Sequence, residues 1–567
     1  MRCLFVQTLV KKMALQKTSN EIIQTKIEMN NIQEPKLSTD KRPENCLLCN
    51  ETAKTICSSC GLKIYCSLQH MKEGQKSHRM DCKPFLISNS KKLGRYLVAS
   101  RDIKKGEVIF KENPLVFGPC DDYHVSMTCY SCGDAANRRC HDCSVALICG
   151  KTCPGSFHSS LECSTFKAIS DKVKNCGFLS ADKIVLPLRC IIHVKQEQPD
   201  GEWNRFLTLQ SHKEERRNTF IWHHNENYFV KLFQSFGVIS QSDLDRELVQ
   251  EVLGIIDVNS FGVRCGVGGQ GRALYLQASL MAHDCSPNCH LAVDDNFQMT
   301  VRACQDILKG DPILYNYTNT LHSTAQRQEH LMDTKYFLCC CKRCEDPSEL
   351  GAHLSSLICW HCREGLMVVN ETKEAWICQQ CNRSFRKTGV EVILNSIVPD
   401  ELDNLDEKDS DSVELILEKL SKVFAANHSV IIDLKQQLAT KLRECKQSVK
   451  VLQRRKALVQ DILSVLEIIE PGISRLRGLT LYELHSILLD LSQVEPNVLE
   501  ALKECEAILR EAVTLLLYEP AQSPEGRCAQ QALTQLKLIT DRIRQIENSD
   551  KKQAKKQSKS KKKLKQT

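Results

Sequence analysis

The sequence predicts an α+β fold with a β-rich core, several small cysteine-rich modules and a helical C-terminal domain. Three observations support this prediction. The chain of 567 residues contains 32 cysteines, several short strand-like runs end in turns, and apolar residues recur with a helical period from about residue 390 onward. A chain of this length can form about three to five domains with buried cores.

The charge and hydropathy of the chain before the lysine-rich tail give no sign of a nucleic-acid or membrane partner. Nine lysines and no acidic residue lie between Lys551 and Lys565, and the rest of the chain has a formal net charge of −1. A nearly neutral body gives no reason to expect nucleic-acid binding. The basic tail fits a nuclear-localisation signal, a contact for acidic partners, or a solvated and disordered end. Because no run of 18 apolar residues occurs, no membrane span is expected.

The cysteines favour zinc sites over disulfide bonds. Disulfide frameworks occur mainly in short secreted chains that carry a signal peptide. The N-terminal sequence MRCLFVQTLVKKMALQ has a short apolar run, then a Lys-Lys pair, and no A-x-A cleavage site. We therefore expect zinc in a reducing compartment, which means a nuclear or cytoplasmic location.

The first cysteine cluster has the spacing C-x2-C-x7-C-x2-C-x5-C-x3-H-x7-H-x3-C, from Cys46 to Cys82. Four ordered pairs of soft ligands suit two tetrahedral zinc ions. The spacing closely resembles that of the MYND zinc finger. The resemblance implies two interleaved sites, with the ligands Cys46, Cys49, Cys66 and His70 for one zinc and Cys57, Cys60, His78 and Cys82 for the other.

A second cluster, from Cys129 to Cys163, also resembles a MYND finger. It departs from the pattern near its end, where four residues separate Cys153 from His158 and Ile148 replaces the usual tyrosine. The resemblance implies two further sites, with the ligands Cys129, Cys132, Cys149 and Cys153 for one zinc and Cys140, Cys143, His158 and Cys163 for the other.

Two more groups of cysteines lie downstream. One has the spacing C-x2-C-x15-C-x2-C, which predicts a zinc ribbon, and its members are Cys359, Cys362, Cys378 and Cys381. The other, Cys339, Cys341 and Cys344, lacks a fourth local ligand, so a distant residue must complete its tetrahedron. These clusters and one distant ligand would hold about six zinc ions.

Four motifs lie in or near the strand-like runs. They read LGRYLVASRDIKKGEVIFKENPLV (93–116), SLMAHDCSPNC (279–289), ILYNYT (313–318) and FLCCCKRC (337–344). Together they resemble the SET domain of the SMYD family, in which a MYND finger splits the domain. The extra finger and the ribbon make the chain most similar to the arthropod SmydA branch.

The resemblance implies a pseudoknotted SET core and a TPR-like C-terminal domain, arranged in ten segments. These are a flexible N-terminus (1–44), finger 1 (45–83), the SET N-terminal half (88–128), finger 2 (129–163), a helical insertion (164–252), the SET C-terminal half (253–333), a post-SET zinc segment (334–348), the ribbon (355–385), the helical domain (390–546) and a basic disordered tail (547–567).

By the same resemblance, Cys285 completes the zinc site of Cys339, Cys341 and Cys344, and Tyr317 is the catalytic residue. Contacts to S-adenosylmethionine are implied for Gly94, Arg95, Asn259, His283 and Phe337. Methyl transfer to lysine needs in-line alignment of the two reactants. It also needs a neutral amine, which a narrow apolar channel favours, and a tyrosine hydroxyl that stabilises the moving charge.

Three positions depart from the SMYD pattern. Tyr96 replaces the second glycine of G-x-G and is expected to narrow the donor pocket. Ala282 replaces an asparagine whose amide would hold the cofactor. Lys335 stands where a second channel tyrosine is expected, and Tyr336 should face the other side of a strand. Each lost hydrogen bond to a charged ligand costs about 1.5–3 kcal/mol, enough to weaken or abolish activity.

Two functions therefore remain open. One is a methyltransferase acting on lysine in histones or other proteins. The other is a catalytically weak or inactive adaptor in transcriptional regulation, whose MYND fingers bind proline-containing peptides. Neither finger offers a helix with clustered arginine and lysine for reading bases, which argues against direct DNA binding.

Overall fold

A computed structural model describes most of the chain. The described residues are 45–78, 82–120, 128–150, 153, 155, 157–175, 181–196, 201–266, 270–402, 405–494 and 497–564. The N-terminus at 1–44, expected to be flexible, lies outside these ranges. The predicted α+β class, with cysteine-rich modules around a β-rich core and a helical C-terminal region, is confirmed.

Finger 1 is a short antiparallel pair, β1 (Thr55–Ile56) and β2 (Ile64–Tyr65), followed by helix α1 (Leu68–Ser77). The helix begins where the Ser67 side chain accepts a hydrogen bond from the backbone N–H of His70, at 3.2 Å. The fully buried Tyr65 packs among the cysteines, so this module has a very small core.

The β-rich core consists of small sheets. β3 (Phe85–Ser90) pairs with β4 (Gly94–Ala99). β5 (Val108–Glu112) joins a later hairpin, and β6 (Val116–Pro119) pairs with a strand that follows the helical insertion. Strand-like runs of the sequence thus form strands, as β4 and β5 show. Inward-facing apolar residues from these sheets share one buried cluster, which includes Leu97, Phe110 and Phe117.

Finger 2 follows β6 and contains the pair β7 (Arg138–Arg139) and β8 (Leu147–Ile148) and the helix α2 (Ser160–Ala168). Its buried residues share a cluster with the helical insertion. The helices of that insertion are α3 (Ser170–Asn175), α4 (Ala181–Gln196), α5 (Glu202–Phe206), α6 (Lys213–Arg216), α7 (Phe220–Asn225), α8 (Lys231–Phe236) and α9 (Asp243–Asn259), with a π-helical turn at Glu226–Val230.

The second half of the core starts directly after α9. Its strands are β9 (Phe261–Arg264), β10 (Gln270–Leu274), β11 (Ala282–His283), β12 (Cys289–Val293), β13 (Met299–Ala303) and β14 (Leu314–Tyr315). They form the sheets β6-β10-β9 and β12-β13-β5. The short β11 and β14 pair in parallel, with Ala282 opposite Leu314 and His283 opposite Tyr315, which brings two predicted site segments together.

Helix α10 (Thr324–Lys335) and the short α11 (Lys342–Glu345) follow. A capping box between Ser323 and Gln326 fixes the start of α10. The ribbon is a four-stranded antiparallel sheet made of β15 (Leu357–Ile358), β16 (Leu366–Asn370), β17 (Ala375–Cys378) and β18 (Ser384–Arg386).

The C-terminal domain is made of successive packed helices. They are α12 (Lys387–Leu402), α13 (Ser410–Leu420), α14 (Ser429–Glu444), α15 (Val449–Ile469), α16 (Arg475–Leu491), α17 (Val498–Leu516) and α18 (Pro524–Leu564). The helical apolar period expected from about residue 390 is confirmed, for example by the buried apolar stripes of α15 and α17. Each fully buried leucine of such a stripe contributes about 1.5–3 kcal/mol.

The domain docks on the β-rich core. The backbone N–H of Ile473 donates to the carbonyl of Cys304 at 2.9 Å. Arg475 donates to the carbonyl of Leu291 at 2.8 Å and pairs with the buried Glu519. Gly472 allows this approach, because a Cβ there would stand 2.3 Å from the carbonyl oxygen of Cys304.

The prediction of a disordered tail is wrong for residues 547–564, whose backbone continues α18 to Leu564. The reason is local, because lysine, glutamine and alanine favour helix and no glycine or proline follows Gly526. Residues 565–567 lie outside the described part. Among the described helices, none has both the length and the hydropathy that crossing a membrane requires.

Candidate functional site

A four-cysteine cluster lies at the centre of the site. Cys285, at the end of the β11 segment, meets Cys339, Cys341 and Cys344, and their sulfur atoms all lie within 4.8 Å of one another. The Sγ of Cys285 is 3.5 Å from that of Cys344 and 3.9 Å from that of Cys339. Tetrahedral zinc with Zn–S bonds of about 2.3 Å implies sulfur separations of about 3.8 Å. The donor set therefore fits zinc.

Three fully buried charged side chains surround this cluster. Nε of Arg327 donates to Sγ of Cys285 at 3.2 Å, and Nη2 donates to Sγ of Cys344 at 3.4 Å. Glu349 accepts from Arg327 at 2.7 Å and pairs with Arg343. Two guanidinium groups against one carboxylate leave an excess buried positive charge. Four thiolates on one divalent zinc carry two net negative charges, which offset this excess.

His283 and Tyr317 lie against this cluster. The backbone N–H of Tyr317 donates to Nδ1 of His283 at 3.0 Å, and Nε2 of His283 is 3.4 Å from Sγ of Cys285. Burial lowers the pKa of His283 to about 4, so the ring is neutral near pH 7. Since Nδ1 accepts, we assign the ring proton to Nε2, facing the cysteine sulfur.

The Tyr317 side chain turns toward the loop before β11. Its hydroxyl donates to the carbonyl of Met281, and its ring centroid lies 5.1 Å from that of His283. Burial raises the pKa of the Tyr317 hydroxyl, which keeps it protonated. The structure therefore places a neutral tyrosine hydroxyl, a neutral imidazole and a backbone carbonyl together.

Lys335 reaches the same place from α10. Its Nζ donates to the carbonyl of Val258 and lies 5.6 Å from the centroid of the Tyr317 ring. Burial lowers the pKa of Lys335 to about 8, and Arg272 adds to the effect. The expectation that Tyr336 faces the other side of a strand was wrong. Lys335 ends a helix, and Tyr336 follows it in a left-handed conformation, stacked on His212 at 5.0 Å.

The residues expected to contact the cofactor differ in what they already bind. Gly94 has φ +63°, and no atom lies within 4 Å of where a Cβ would stand, so its backbone is open to a ligand. The Phe337 ring lies 5.8 Å from that of His283. Arg95 donates to the side chain and the carbonyl of Thr208.

Asn259 is the last residue of α9. Its amide donates to the carbonyls of Gln210 and Ile255, at 2.7 and 2.8 Å. Helix α9 extends to this residue because its apolar stripe stays buried up to Ile256. Ala282 is buried on β11, and its methyl side chain has no amide that could bind the cofactor. The open backbone and the aromatic ring fit an adenosine-containing ligand, with fewer side-chain donors than expected.

The structure brings together all the predicted ligands of finger 1. Cys46, Cys49, Cys66 and His70 form one group and Cys57, Cys60, His78 and Cys82 form the other. Within them, the sulfur separations are 3.5 Å between Cys49 and Cys66 and 3.7 Å between Cys57 and Cys82. These distances suit a shared zinc, and no disulfide bond joins the cysteines that the structure describes.

Finger 2 also gathers its two predicted sets, including the irregularly spaced His158. Cys129, Cys132, Cys149 and Cys153 form one group and Cys140, Cys143, His158 and Cys163 form the other. Nε2 of His158 is 3.7 Å from Sγ of Cys143, and its Nδ1 is 2.9 Å from Oε1 of Glu162. One ring nitrogen thus faces the cysteines while the other is held by a carboxylate, as is usual for a metal-bound histidine.

Glu162 connects finger 2 to the core. Arg189 of α4 forms a two-pronged pair with its carboxylate, and both side chains are almost fully buried. Burial opposes ionisation of Glu162, but Arg189 outweighs it and lowers the pKa of the carboxyl group. Arg189 also donates to the carbonyls of Phe117 and Tyr130, so one guanidinium joins the finger, the insertion and β6.

The ribbon cysteines meet across two turns. Cys359 and Cys381 are 3.7 Å apart, as are Cys362 and Cys378, each measured between sulfur atoms. The backbone N–H of Gly365 donates to Sγ of Cys362 at 3.4 Å. Cys378 ends β17, and Cys359 directly follows β15.

Sequence reasoning missed the charged residues around the ligands, chiefly Arg327, Glu349, Glu162 and Arg189. Arg343 had a signal in its position between two cysteines of C-x-C-x2-C, and Glu162 directly precedes Cys163. Arg327 and Glu349 had none, because they lie on a helix and a turn that only folding brings to the cluster.

Residues 94–318 match the SET domain family. SmydA-8 isoform A of Drosophila melanogaster is 29% identical over 313 residues, covering 53% of this chain and 65% of the relative. The histone-lysine N-methyltransferases Smyd1 and SMYD3 of Mus musculus are 24% identical over 288 residues and 25% identical over 305 residues, covering 46% and 51% of this chain and 55% and 68% of the relatives.

This match and the similarity to SmydA-8 confirm the predicted resemblance to the SMYD family and its SmydA branch. The matched part spans slightly less than two thirds of SmydA-8 isoform A and about half of Smyd1.

Proposed function

We propose that this chain, whose residues 94–318 match the SET domain family, is an S-adenosylmethionine-dependent protein-lysine N-methyltransferase. The position of Tyr317 carries the proposal. Its protonated hydroxyl lies beside the Met281 carbonyl, with its backbone held by His283. Relatives named as histone-lysine N-methyltransferases support the reaction class.

The open backbone at Gly94 and the ring of Phe337 are the groups that would hold the donor, with His283 and Arg95 next to them. When bound, S-adenosylmethionine supplies a methyl group on a sulfonium sulfur. Asn259 and Ala282 contribute less to donor binding than the family pattern implies. The side-chain amide of Asn259 already donates to two backbone carbonyls, and Ala282 has no side-chain amide. We therefore expect weaker donor binding than a full set of contacts would give.

Tyr317 is the proposed catalytic residue. Free lysine has a pKa of about 10.4, so its ammonium must lose a proton before it can attack. Burial near the Tyr317 ring disfavours the charged form. The Tyr317 hydroxyl and nearby backbone carbonyls then orient the neutral amine, and they stabilise the positive charge that develops on nitrogen.

Titration calorimetry of the zinc-loaded chain with S-adenosylmethionine tests the proposal. We expect micromolar binding in the wild type and about two- to tenfold weaker binding in Phe337→Ala, since an aromatic contact is worth about 0.5–1.5 kcal/mol. Phe220→Ala is the matched control, because the Phe220 side chain is 86% exposed. Absence of binding in the wild type would contradict the enzymatic assignment.

A second candidate function is an adaptor in transcriptional regulation without catalysis. The observation that favours it is Lys335, whose ammonium lies over the Tyr317 ring, together with the missing amide at Ala282. In that case the two MYND fingers would carry the function by binding proline-containing peptides. Retained peptide binding with no detectable binding of S-adenosylmethionine would favour this candidate.

Further proposals concern metals, substrates and location. We propose about six structural zinc ions, because each group of ligands forms a closed set of four with no open position. The acceptor is proposed to be a lysine of a histone or another protein, and the location to be nuclear or cytoplasmic. Metal analysis and immunofluorescence of the full chain test the first and last of these.

A further inference from the structure

Lys335 is held by its neighbours in an unusual way for a lysine. Its Nζ donates to the carbonyl of Val258, at the end of α9, and lies 5.6 Å from the Tyr317 ring centroid. Asp257 attracts the ammonium only at a distance, while Arg272 repels it. A partly buried cation without a close carboxylate partner adds little to the stability of the fold. Stability therefore does not explain why the Lys335 side chain lies beside Tyr317.

The neighbouring acceptors are already occupied. The carbonyl of Ile255 accepts from Asn259, and the carbonyl of Ile256 accepts from Arg272. Lys335 donates to the Val258 carbonyl, next along the end of α9. The helix that carries Lys335 is fixed at its start by the Ser323–Gln326 capping box, and Tyr336 stacks on His212 just beyond its end. The backbone on both sides of Lys335 is therefore held in place, which fixes the direction of its side chain.

These surroundings are those that an acceptor lysine requires. A substrate ammonium would need a backbone carbonyl to accept its hydrogen bond and the Tyr317 ring and hydroxyl beside it. We propose that Lys335 occupies the place of the acceptor lysine in this chain and must withdraw before a substrate lysine can enter. The inference rests on the proposed methyltransferase function and adds an internal competitor to it.

Turnover measurements on the full zinc-loaded chain test the inference, with poly-L-lysine as the acceptor and S-adenosylhomocysteine as the measured product. Lys335→Ala should raise kcat/KM for poly-L-lysine about tenfold, if the open state is populated about one tenth of the time. Lys309→Ala is the matched control, because Lys309 is exposed in the β13–β14 connection and its backbone N–H bonds to Asp102. This control should leave the rate unchanged.

Parallel calorimetry with S-adenosylmethionine separates the possible failures. Equal donor affinity in wild type and Lys335→Ala, with no gain in turnover, would mean that Lys335 only caps α9, and would overturn the inference alone. Tighter donor binding in the variant would place Lys335 in the donor's site, which also overturns it. No donor binding in either protein removes the proposed function and this inference with it.

A second variant guards against loss of the fold. If Lys335→Ala loses zinc or unfolds, Lys335→Gln carries the same expectation. Its amide can still donate to the Val258 carbonyl, but it is shorter and uncharged. A gain in turnover of Lys335→Gln with unchanged zinc content supports the proposal that Lys335 competes with the substrate lysine. A rate equal to that of the wild type overturns it.

Discussion

Nδ1 of His158 lies 2.9 Å from Oε1 of Glu162, one helical turn further along the chain. This contact turns Nε2 of His158 toward the cysteines of finger 2, although the spacing around His158 departs from the MYND pattern. Glu162 is in turn held by Arg189. The geometry of one proposed zinc ligand thus depends on a guanidinium from a different module.

Glu162→Gln should weaken the zinc of this site. Loss of a carboxylate behind a metal-bound histidine typically costs about ten- to hundredfold in metal affinity. Competition with a zinc-chelating dye should show one ion per chain released at lower chelator concentration. Glu407→Gln, at an exposed position, is the control. Equal zinc retention in both variants would show that Glu162 does not hold His158 on a metal.

The full chain should contain about six zinc ions, four ligands to each. Native mass spectrometry should show a mass shift that corresponds to six ions, and Cys362→Ser should reduce it to five. Cys445→Ser should leave six, since Cys445 follows α14 and its Sγ donates to the Lys441 carbonyl. A count of six in the Cys362 variant would remove the ribbon from the set of zinc sites.

Tyr317→Phe should lower kcat and leave the affinity for S-adenosylmethionine within about twofold. Removing one preorganised donor from a reacting centre typically costs about 10²–10³ in kcat, while the phenyl ring keeps its packing against His283. Single-turnover assays and calorimetry measure the two quantities. Tyr482→Phe in the helical domain is the control, and full turnover in Tyr317→Phe would refute the catalytic role of Tyr317.

Glu519→Ala should destabilise the contact between the helical domain and the core. The Glu519 carboxylate is buried and lies 2.8 Å from Arg475 and 2.9 Å from His290. Removing one partner of such a group costs about 3 kcal/mol, to be measured by urea denaturation. Glu371→Ala breaks an exposed pair with Lys387 and should cost less than about 1 kcal/mol. Equal effects would mean that the buried group does not stabilise the interface.

Sequence patterns predicted the modules well where the interacting residues are close together along the chain. The i, i+3 cysteine spacings of both fingers and the ribbon identified local ligand pairs, because such residues meet within one turn, and the resemblance to the MYND finger assigned the pairs in the fingers to common zinc sites. The apolar stripes of α15 and α17 predicted buried helix faces for a similar reason. The errors fell near element ends, where Tyr336 terminates α10 and where α18 continues into the basic tail.

The sequence by itself determined the local ligand pairs, the SET motifs and the helical C-terminal region, since each depends on residue types at short, fixed spacings. Only the tertiary structure decided which charges surround those sets and what lies beside Tyr317. Arg327, Glu349 and Lys335 come from separate elements, and packing brings them to the site. A buried charge is stable only beside a partner, and that partner can come from any part of the chain.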